Sequence, residues 1–308
     1  MAHTMIDSRL FRNFCGTERA REIWSDENML TKWFEFWAAL AQAEEEMGIV
    51  PSGTSAEIRK KGKVENLDLD KIREKIEETT HPCIPVIWEM EKLCDNGLGK
   101  WIHWGATLQD LTDTTFVLQM RESSFYLEEV LVGLVKRCLE LAKQYRDTPM
   151  IGRTHQMHAV PMTFGEKCAI YADELSRSLE RLRACRSRLF KAEFFGASGT
   201  LASVYIDGYD GLAIQKRLCE ILGLNQPNAP WHSARDTFAE FACVLNVMAA
   251  SCSRICFDLQ GMHKQELGEI EEDFPHGRLG SSTMPQKRNP DNYETIIGMA
   301  WTVNSLTN

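Results

Sequence analysis

A loop near the carboxyl end of the chain combines side chains that could bind an anion and move a proton. Residues 280–290, the signature loop, have the sequence GSSTMPQKRNP, in which Ser281 and Ser282 precede Lys287 and Asn289. Glycine lets the backbone approach an anion, and the helix expected directly after the loop would present free N–H groups. The loop predicts a carboxylate or phosphate site, although a solvated turn with a capping serine has the same composition.

Two earlier segments offer proton donors and polar binding groups. Residues 103–110 (HWGATLQD), the first block, contain Thr107 and Gln109. Residues 152–165 (GRTHQMHAVPMTFG), the second block, contain His155. A histidine side chain titrates near neutral pH, so it can protonate a departing group. These residue types together favour acid–base chemistry on an anionic substrate.

The three segments resemble conserved blocks of the fumarase/aspartase superfamily. The signature loop is similar to the pattern GSSxMPxKxNP, and the first and second blocks match family blocks in the same order. Residues 196–200 (GASGT) and 230–236 (PWHSARD) also match, so the resemblance covers essentially the whole chain. The superfamily includes fumarase, argininosuccinate lyase, adenylosuccinate lyase and 3-carboxy-cis,cis-muconate cycloisomerase. The resemblance implies elimination of a group from the carbon β to a carboxylate.

The resemblance also implies a role for individual residues. Such an elimination needs a base for the weakly acidic proton, fixed donors for the resulting aci-carboxylate and an acid for the leaving group. By resemblance Ser281 is the base, with Lys287 as the nearby charge. His155 is the acid, and Glu294 orients it. The implied substrate-binding residues are Thr107, Gln109, His81, Thr154, Ser282, Asn289 and Arg235.

Some of these assignments have a structural alternative. Arg235 with Asp236 could equally form an ion pair on a helix, and His158 could simply pack. We expect no metal or other cofactor, because the sequence shows neither a metal-ligand cluster nor a dinucleotide motif. The histidines without a role beyond loop hydrogen bonding are His103, His232 and His276.

Two branches of the superfamily compete for the function. The blocks look most like those of the cycloisomerase branch, but its bacterial members tend to carry Trp in place of His155 and to lack His81. These histidines favour C–N cleavage, because an amine leaves poorly without a proton. Asn13 and Phe14 replace an Arg-Tyr pair that contacts a nucleotide phosphate, and Leu108 replaces a serine. These two departures count against adenylosuccinate itself and favour a substrate without a nucleotide. We expect cleavage of adenylosuccinate or another N-substituted aspartate with release of fumarate. The alternatives are a cycloisomerase and an inactive structural homologue.

Long helices must position the blocks. Residues 26–47 show the helical period, and residues 111–146, 161–194, 234–268 and 290–306 contain few breakers. No stretch alternates strictly between apolar and polar residues, so strands should be minor. The predicted fold class is all-α, a long-helix bundle of the fumarase/aspartase type. We expect a smaller N-terminal helical domain at residues 1–110 and a central bundle at residues 111–308. Family chains continue beyond the signature loop, so the C-terminal part of the family fold is expected to be missing.

Composition limits the setting and the partners. The 308 residues include 44 acidic and 35 basic side chains, a formal charge of −9 that argues against nucleic acid as the partner. No uninterrupted apolar run is as long as a membrane span, and ten scattered cysteines without a CxxC motif fit the cytoplasm. We expect a cytoplasmic enzyme that acts on a small polycarboxylate and binds neither nucleic acid nor membrane. By resemblance it is a homotetramer whose active sites are shared between subunits.

Overall fold

The computed structural model describes residue 5 and residues 8–307, and it divides the chain into two compact units. The first-block unit comprises residues 16–124 and 186–237. The signature-loop unit comprises residues 125–185 and 238–307 together with the described residues up to residue 15. The domain boundary expected at residue 110 stays a prediction.

Helices dominate the described residues, which confirms the all-α class. Two strands, β1 (Pro149–Thr154) and β2 (Met157–Thr163), form an antiparallel hairpin. Short 3-10 segments occur at Val64–Asn66 and Asp95–Trp101. The α-helices are α1 (Glu18–Ile23), α2 (Asp26–Glu46), α3 (Thr54–Lys61), α4 (Leu69–Thr79), α5 (Ile84–Leu93), α6 (Leu108–Gln144), α7 (Phe164–Leu189), α8 (Ala202–Tyr205), α9 (Gly211–Leu222), α10 (Asp236–His263) and α11 (Asp291–Thr307).

The core of the first-block unit forms around α2. The hydroxyl of Ser25 accepts the N–H of Asn28 at 3.1 Å and starts this helix, as an N-cap serine should. Its apolar residues are buried against α3 and α9, and Phe36 and Trp37 are almost fully enclosed. Burying one such side chain stabilises a fold by about 1.5–3 kcal/mol. Helix α2 therefore forms the centre of the core in the unit that contains the first block.

Helices α7 and α10 of the signature-loop unit are joined by polar contacts. Lys167 Nζ lies 2.8 Å from Asp258 Oδ2, and the Tyr171 hydroxyl donates to the same oxygen at 2.6 Å. Arg254 pairs with Glu174. An 18-residue window of α10 has a mean hydropathy of 1.4, so length and composition alone would let it cross a membrane. These ion pairs to α7 are instead typical of a helix in a bundle.

The hairpin corrects one expectation from the sequence. We expected a helix from residue 161, but β2 continues through Thr163 and α7 begins at Phe164. Thr163 Oγ1 accepts the N–H of Glu166 at 3.1 Å, so Thr163 caps the helix and Pro161 lies in the strand. Neither β1 nor β2 alternates strictly between apolar and polar residues, so the sequence pattern does not reveal the hairpin.

Candidate active site

Asp110 fixes the backbone of the first block. Thr107 precedes α6, and the Thr107 N–H donates to Asp110 Oδ2 at 2.9 Å. This is the backward bond of a capping box, in which the third helical residue reaches the cap position. The Thr107 hydroxyl has no hydrogen-bond partner among the residues that the structure describes. It is half-buried and free to bind a ligand.

Gln109 and Arg235 share one carboxylate. Gln109 Nε2 donates to Asp113 Oδ1 at 2.8 Å, and Arg235 donates to both Asp113 oxygens at 2.9 and 2.7 Å. Arg235 therefore forms an ion pair, although with Asp113 and not with its neighbour Asp236. This geometry favours a positioning role for Arg235, and its predicted contact with substrate stays a prediction.

Sequence reasoning missed a buried network behind the first block. His232 Nε2 lies 3.0 Å from Asp110 Oδ1 and 3.8 Å from Glu193 Oε1. Burial raises the pKa of Glu193 to about 7 and also raises that of Asp110, although hydrogen bonds to Asp110 oppose the shift. Sequence separations of 122 and 38 residues give no local signal for this network.

The same three residues could in principle hold a metal ion. One ligand atom from each of Asp110, Glu193 and His232 lies within 4.8 Å of the others. However, Asp110 already accepts four hydrogen bonds, from the N–H groups of Thr107, Phe195 and Gly196 and from His232. Four donors occupy the acceptor capacity of a carboxylate. The donor set therefore fits a hydrogen-bonded network better than a metal centre.

His81 and His103 also lie in the first-block unit. The N–H of Ile84 donates to His81 Nδ1 at 3.2 Å near the start of α5, so His81 carries its proton on Nε2 when neutral. The indole N–H of Trp37 donates to His103 Nδ1 at 3.0 Å. Burial lowers the pKa of His103 to about 4, so this imidazole is neutral at physiological pH. The predicted role of His81 in substrate binding stays a prediction.

His155 lies at the exposed tip of the β1–β2 hairpin. Thr154 pairs with Met157, and His155 and Gln156 between them have φ angles of +52° and +63°. Positive φ at both central residues is the geometry of a type I′ turn, which suits the twist of a hairpin. Arg153 supports the hairpin through a two-point ion pair with Glu269, with both N–O distances 2.8 Å. The hairpin therefore presents the His155 imidazole to solvent.

The signature loop folds back on itself. Ser281 Oγ accepts the N–H groups of Thr283 at 3.3 Å and Met284 at 3.2 Å. A Cβ at Gly280 would collide with the carbonyl oxygen of Lys287. Ser282, Thr283 and Lys287 are exposed, and Asn289 is half-buried. The loop thus holds the predicted base and the predicted charge in one turn that requires a glycine.

Glu294 lies in the first turn of α11. Gln260 Nε2 of α10 donates to Glu294 Oε1 at 3.2 Å. No hydrogen bond or ion pair joins His155 to Glu294, Ser281 or Lys287 within the described ranges. The orienting role of Glu294 and the acid role of His155 therefore remain predictions.

A cavity of about 450 Å³ lies beside the hairpin, within the signature-loop unit. A volume of this size suits a small molecule. Its wall combines basic and apolar residues with the carboxylate of Asp258 and with two glutamines, one of which is Gln260, the partner of Glu294. The basic lining residues are Arg153, His158, Lys167, Arg254 and Lys264.

The predicted site residues are distributed over both units. Thr107, Gln109, His81 and Arg235 belong to the first-block unit. The residues in the signature-loop unit are Thr154, His155, Ser281, Ser282, Lys287, Asn289 and Glu294.

Comparison with known proteins gives close matches over most of the chain. The sequence profile of a family described as Lyase matches residues 14–304. The N-acetyl-S-(2-succino)cysteine lyase of Enterococcus italicus is 38% identical over 300 residues, which cover 97% of this chain and 65% of that protein. The adenylosuccinate lyase of Methanocaldococcus jannaschii is 37% identical over 294 residues, with 94% and 63% coverage. The crystal structure of 3-carboxy-cis,cis-muconate lactonizing enzyme from Pseudomonas putida has a TM-score of 0.90 and 36% identity, and the match covers 97% of this chain and 67% of that one.

The helical fold and the three blocks define the class of protein. The chain belongs to the lyase family that includes adenylosuccinate lyase and 3-carboxy-cis,cis-muconate cycloisomerase, within the fumarase/aspartase superfamily. It spans about 65% of the length of the curated relatives that it matches.

Proposed function

We propose that this chain catalyses β-elimination from a substituted succinate, with cleavage of a C–N bond and release of fumarate. Ser281 removes the proton next to a carboxylate, Lys287 and Asn289 stabilise the aci-carboxylate, and His155 protonates the departing nitrogen. The observation that carries the proposal is the exposed His155 imidazole at the tip of a turn with two positive φ angles. A turn that presents an imidazole in this way suits proton transfer to a bound ligand.

The names of the relatives support this substrate class. One relative is named for a succinylated cysteine and another for adenylosuccinate, and both names describe a succinate carrying a heteroatom. Lys264, a basic residue in the wall of the cavity, would attract the carboxylates of such a molecule. An amine needs a proton to leave, whereas a thiol can leave as a thiolate. A histidine acid therefore favours nitrogen as the leaving atom.

A second candidate function is intramolecular lactonisation of a carboxymuconate. The observation that favours it is the TM-score of 0.90 with the lactonizing enzyme from Pseudomonas putida. In that reaction a carboxylate oxygen of the substrate adds to the C=C bond of the same molecule, and the group that acts as base in an elimination delivers a proton to the neighbouring carbon. His155 counts against it, because neither the attacking carboxylate nor the carboxylate that departs in the reverse reaction needs a proton donor.

We further propose a homotetramer whose active sites are shared between subunits, working in the cytoplasm. Large apolar side chains are exposed on the long helices, among them Phe125 of α6, Phe257 of α10 and Trp301 of α11. Exposed apolar surface of this kind is typical of a helix that packs on another chain. Light scattering on the purified chain would measure its mass, and a monomer at all concentrations would contradict this assembly.

A substrate panel tests the proposed reaction. We expect the purified chain to release fumarate from one or more of adenylosuccinate, argininosuccinate and a non-nucleotide N-substituted aspartate, and S-(2-succino)cysteine serves as the C–S comparison. Loss of a carboxymuconate without any fumarate release would favour the second candidate. The matched control for loop integrity is Thr283→Ala, which removes an exposed hydroxyl of the same turn and should leave turnover unchanged.

A further inference from the structure

The proposed elimination assigns no role to the buried network of Asp110, Glu193 and His232. The side chains of Asp110 and Glu193 are fully buried, and the imidazole of His232 is 22% exposed. One oxygen of Glu193 has no hydrogen-bond partner among the described residues, while the other accepts the N–H of Trp231 at 3.0 Å. Buried charged groups are costly unless their partners are in place, so this arrangement calls for a function or a compensating gain.

Asp110 connects the first block to the segment that follows α7. One of its oxygens accepts the N–H groups of Thr107 and Gly196, and the other accepts the N–H of Phe195 and faces His232. The imidazole N–H is thus the only side-chain donor in the described set of partners. Loss of this donor would leave a buried carboxylate under-satisfied and free to shift toward another partner.

Several charged groups surround His232. The facing titratable groups are Asp110 of α6, Glu193 and, nearby, Asp113 with Arg235. Asp113 and Arg235 neutralise each other through their two-point pair. The Nε2 atom of His232 is closer to Asp110 than to Glu193. An ionised carboxylate can only accept hydrogen bonds, so the imidazole donates from Nε2 to Asp110.

We propose that His232 is a positioning residue, which holds Asp110 so that Asp110 fixes the Thr107 backbone and aims the free Thr107 hydroxyl at a substrate carboxylate. This role rests on the proposed elimination and adds a residue to it. His232 donates a hydrogen bond and does not transfer a proton to the substrate. Its contribution is thus to substrate binding through Thr107 and requires only an N–H at the Nε2 position.

Replacement of His232 by glutamine or by asparagine tests whether an N–H group is needed at the position of Nε2. The amide nitrogen of Gln can occupy the place of the imidazole Nε2, whereas the amide nitrogen of Asn stops near the place of Nδ1. We expect His232→Asn to raise KM for the substituted succinate about tenfold, the effect of losing one hydrogen bond to a charged group. We expect His232→Gln to keep KM within about threefold of the wild type. Equal KM values for the two variants would overturn the proposal.

A double substitution tests whether His232 acts through Thr107. Thr107→Val removes the hydroxyl, so His232→Asn should add no further rise in KM in the Thr107→Val background. If the two substitutions acted independently, their effects on KM would multiply. That outcome would contradict the proposal that His232 acts through Thr107. The matched control is Gln119→Met, because Gln119 lies on α6 as Asp110 does. This substitution removes the buried hydrogen bond from the Gln119 amide to the Ile23 carbonyl of α1. This control should lower thermal stability and leave KM unchanged, and a tenfold rise would also overturn the proposal.

A second readout stays informative if the chain turns over none of the substrates. The proposed elimination then fails, whereas the positioning claim is tested by the NMR signal of the Thr107 amide. We expect His232→Asn to move that signal upfield, as its bond to Asp110 weakens, and His232→Gln to leave it in place. An unchanged Thr107 signal in His232→Asn would refute the positioning role by itself.

Discussion

Gly280 packs directly against the Lys287 carbonyl oxygen, and this contact closes the signature loop. A Cβ at residue 280 would also lie 2.9 Å from the Arg288 Cα and 3.0 Å from the Phe274 ring. Two of these neighbours are backbone atoms, which cannot move without moving the loop. The loop geometry thus depends on the absence of one side chain.

Gly280→Ala should therefore impair catalysis more than stability. We expect kcat/KM to fall about a hundredfold, because a small displacement of catalytic groups has a cost of that order. Gly280 is buried, but residues 282–288 of the loop are exposed, so the melting temperature should fall only modestly as the loop shifts. Gly298→Ala in α11 is the matched control, because its Cβ meets open space and alanine favours a helix by up to about 1 kcal/mol. Equal activity losses in the two variants would contradict the claim that the close contact at Gly280 sets the geometry of the signature loop.

Removal of the His155 imidazole should slow C–N cleavage more than C–S cleavage. His155→Asn tolerates the positive φ of +52°, because asparagine adopts this conformation readily. We expect kcat for an N-substituted aspartate to fall by about 10²–10⁴, the usual contribution of a general acid. The loss for S-(2-succino)cysteine should be clearly smaller, because a thiolate leaves without protonation. Steady-state kinetics on both substrates give the two values of kcat. Equal losses of kcat would contradict the role of His155 as the general acid.

The Asp113–Arg235 pair should support substrate binding through Gln109. Arg235→Lys keeps the charge but cannot make the two-point contact with Asp113, so the Gln109 amide would lose its fixed partner. We expect KM to rise about three- to tenfold with a small change in kcat. Arg217→Lys is the matched control, because Arg217 makes the same kind of pair with exposed Glu46. A similar KM for Arg235→Lys and Arg217→Lys would contradict this role.

Glu44 should make the protein less stable as pH rises. Its carboxylate is fully buried with no hydrogen-bond partner among the described residues, and burial raises its pKa well above the usual value of 4.5. The folded state keeps the proton where the unfolded chain releases it, so stability is present at acid pH and falls above about 4.5.

Urea denaturation at about pH 5 and about pH 8 tests this linkage. The free energy of unfolding of the wild type should differ between the two pH values. We expect this difference to be smaller by at least about 1 kcal/mol in Glu44→Gln, because glutamine does not titrate. Glu46→Gln is the control, because its partner Arg217 lowers the pKa of Glu46 below the usual 4.5, so the pH dependence that this shift causes lies mostly below pH 5. An unchanged pH difference in Glu44→Gln would refute the assignment.

Much of the helical framework followed from the sequence because its signals are local. Residues 26–47 were predicted as a helix and α2 spans Asp26–Glu46, with Ser25 as its cap. A helix was also predicted at residues 290–306, and α11 spans Asp291–Thr307. Helical periodicity, caps and breakers act within a few residues, so one sequence reveals them.

The hairpin and the buried network were missed for two different reasons. The turn between β1 and β2 uses His155 and Gln156, not the Asn-Gly pair that signals a hairpin. The Asp110–His232 contact joins residues 122 positions apart, which local patterns cannot detect. The site residues themselves came from motif resemblance, and their mutual geometry depends on tertiary packing.

Detection of fumarate by NMR tests the central claim most directly. Wild-type chain mixed with an N-substituted aspartate should produce the vinyl signal of fumarate and free amine in equal amounts. Ser281→Ala should abolish that signal while Thr283→Ala retains it. Absence of fumarate from every substituted succinate, or its formation at the same rate with Ser281→Ala, would contradict the proposed elimination.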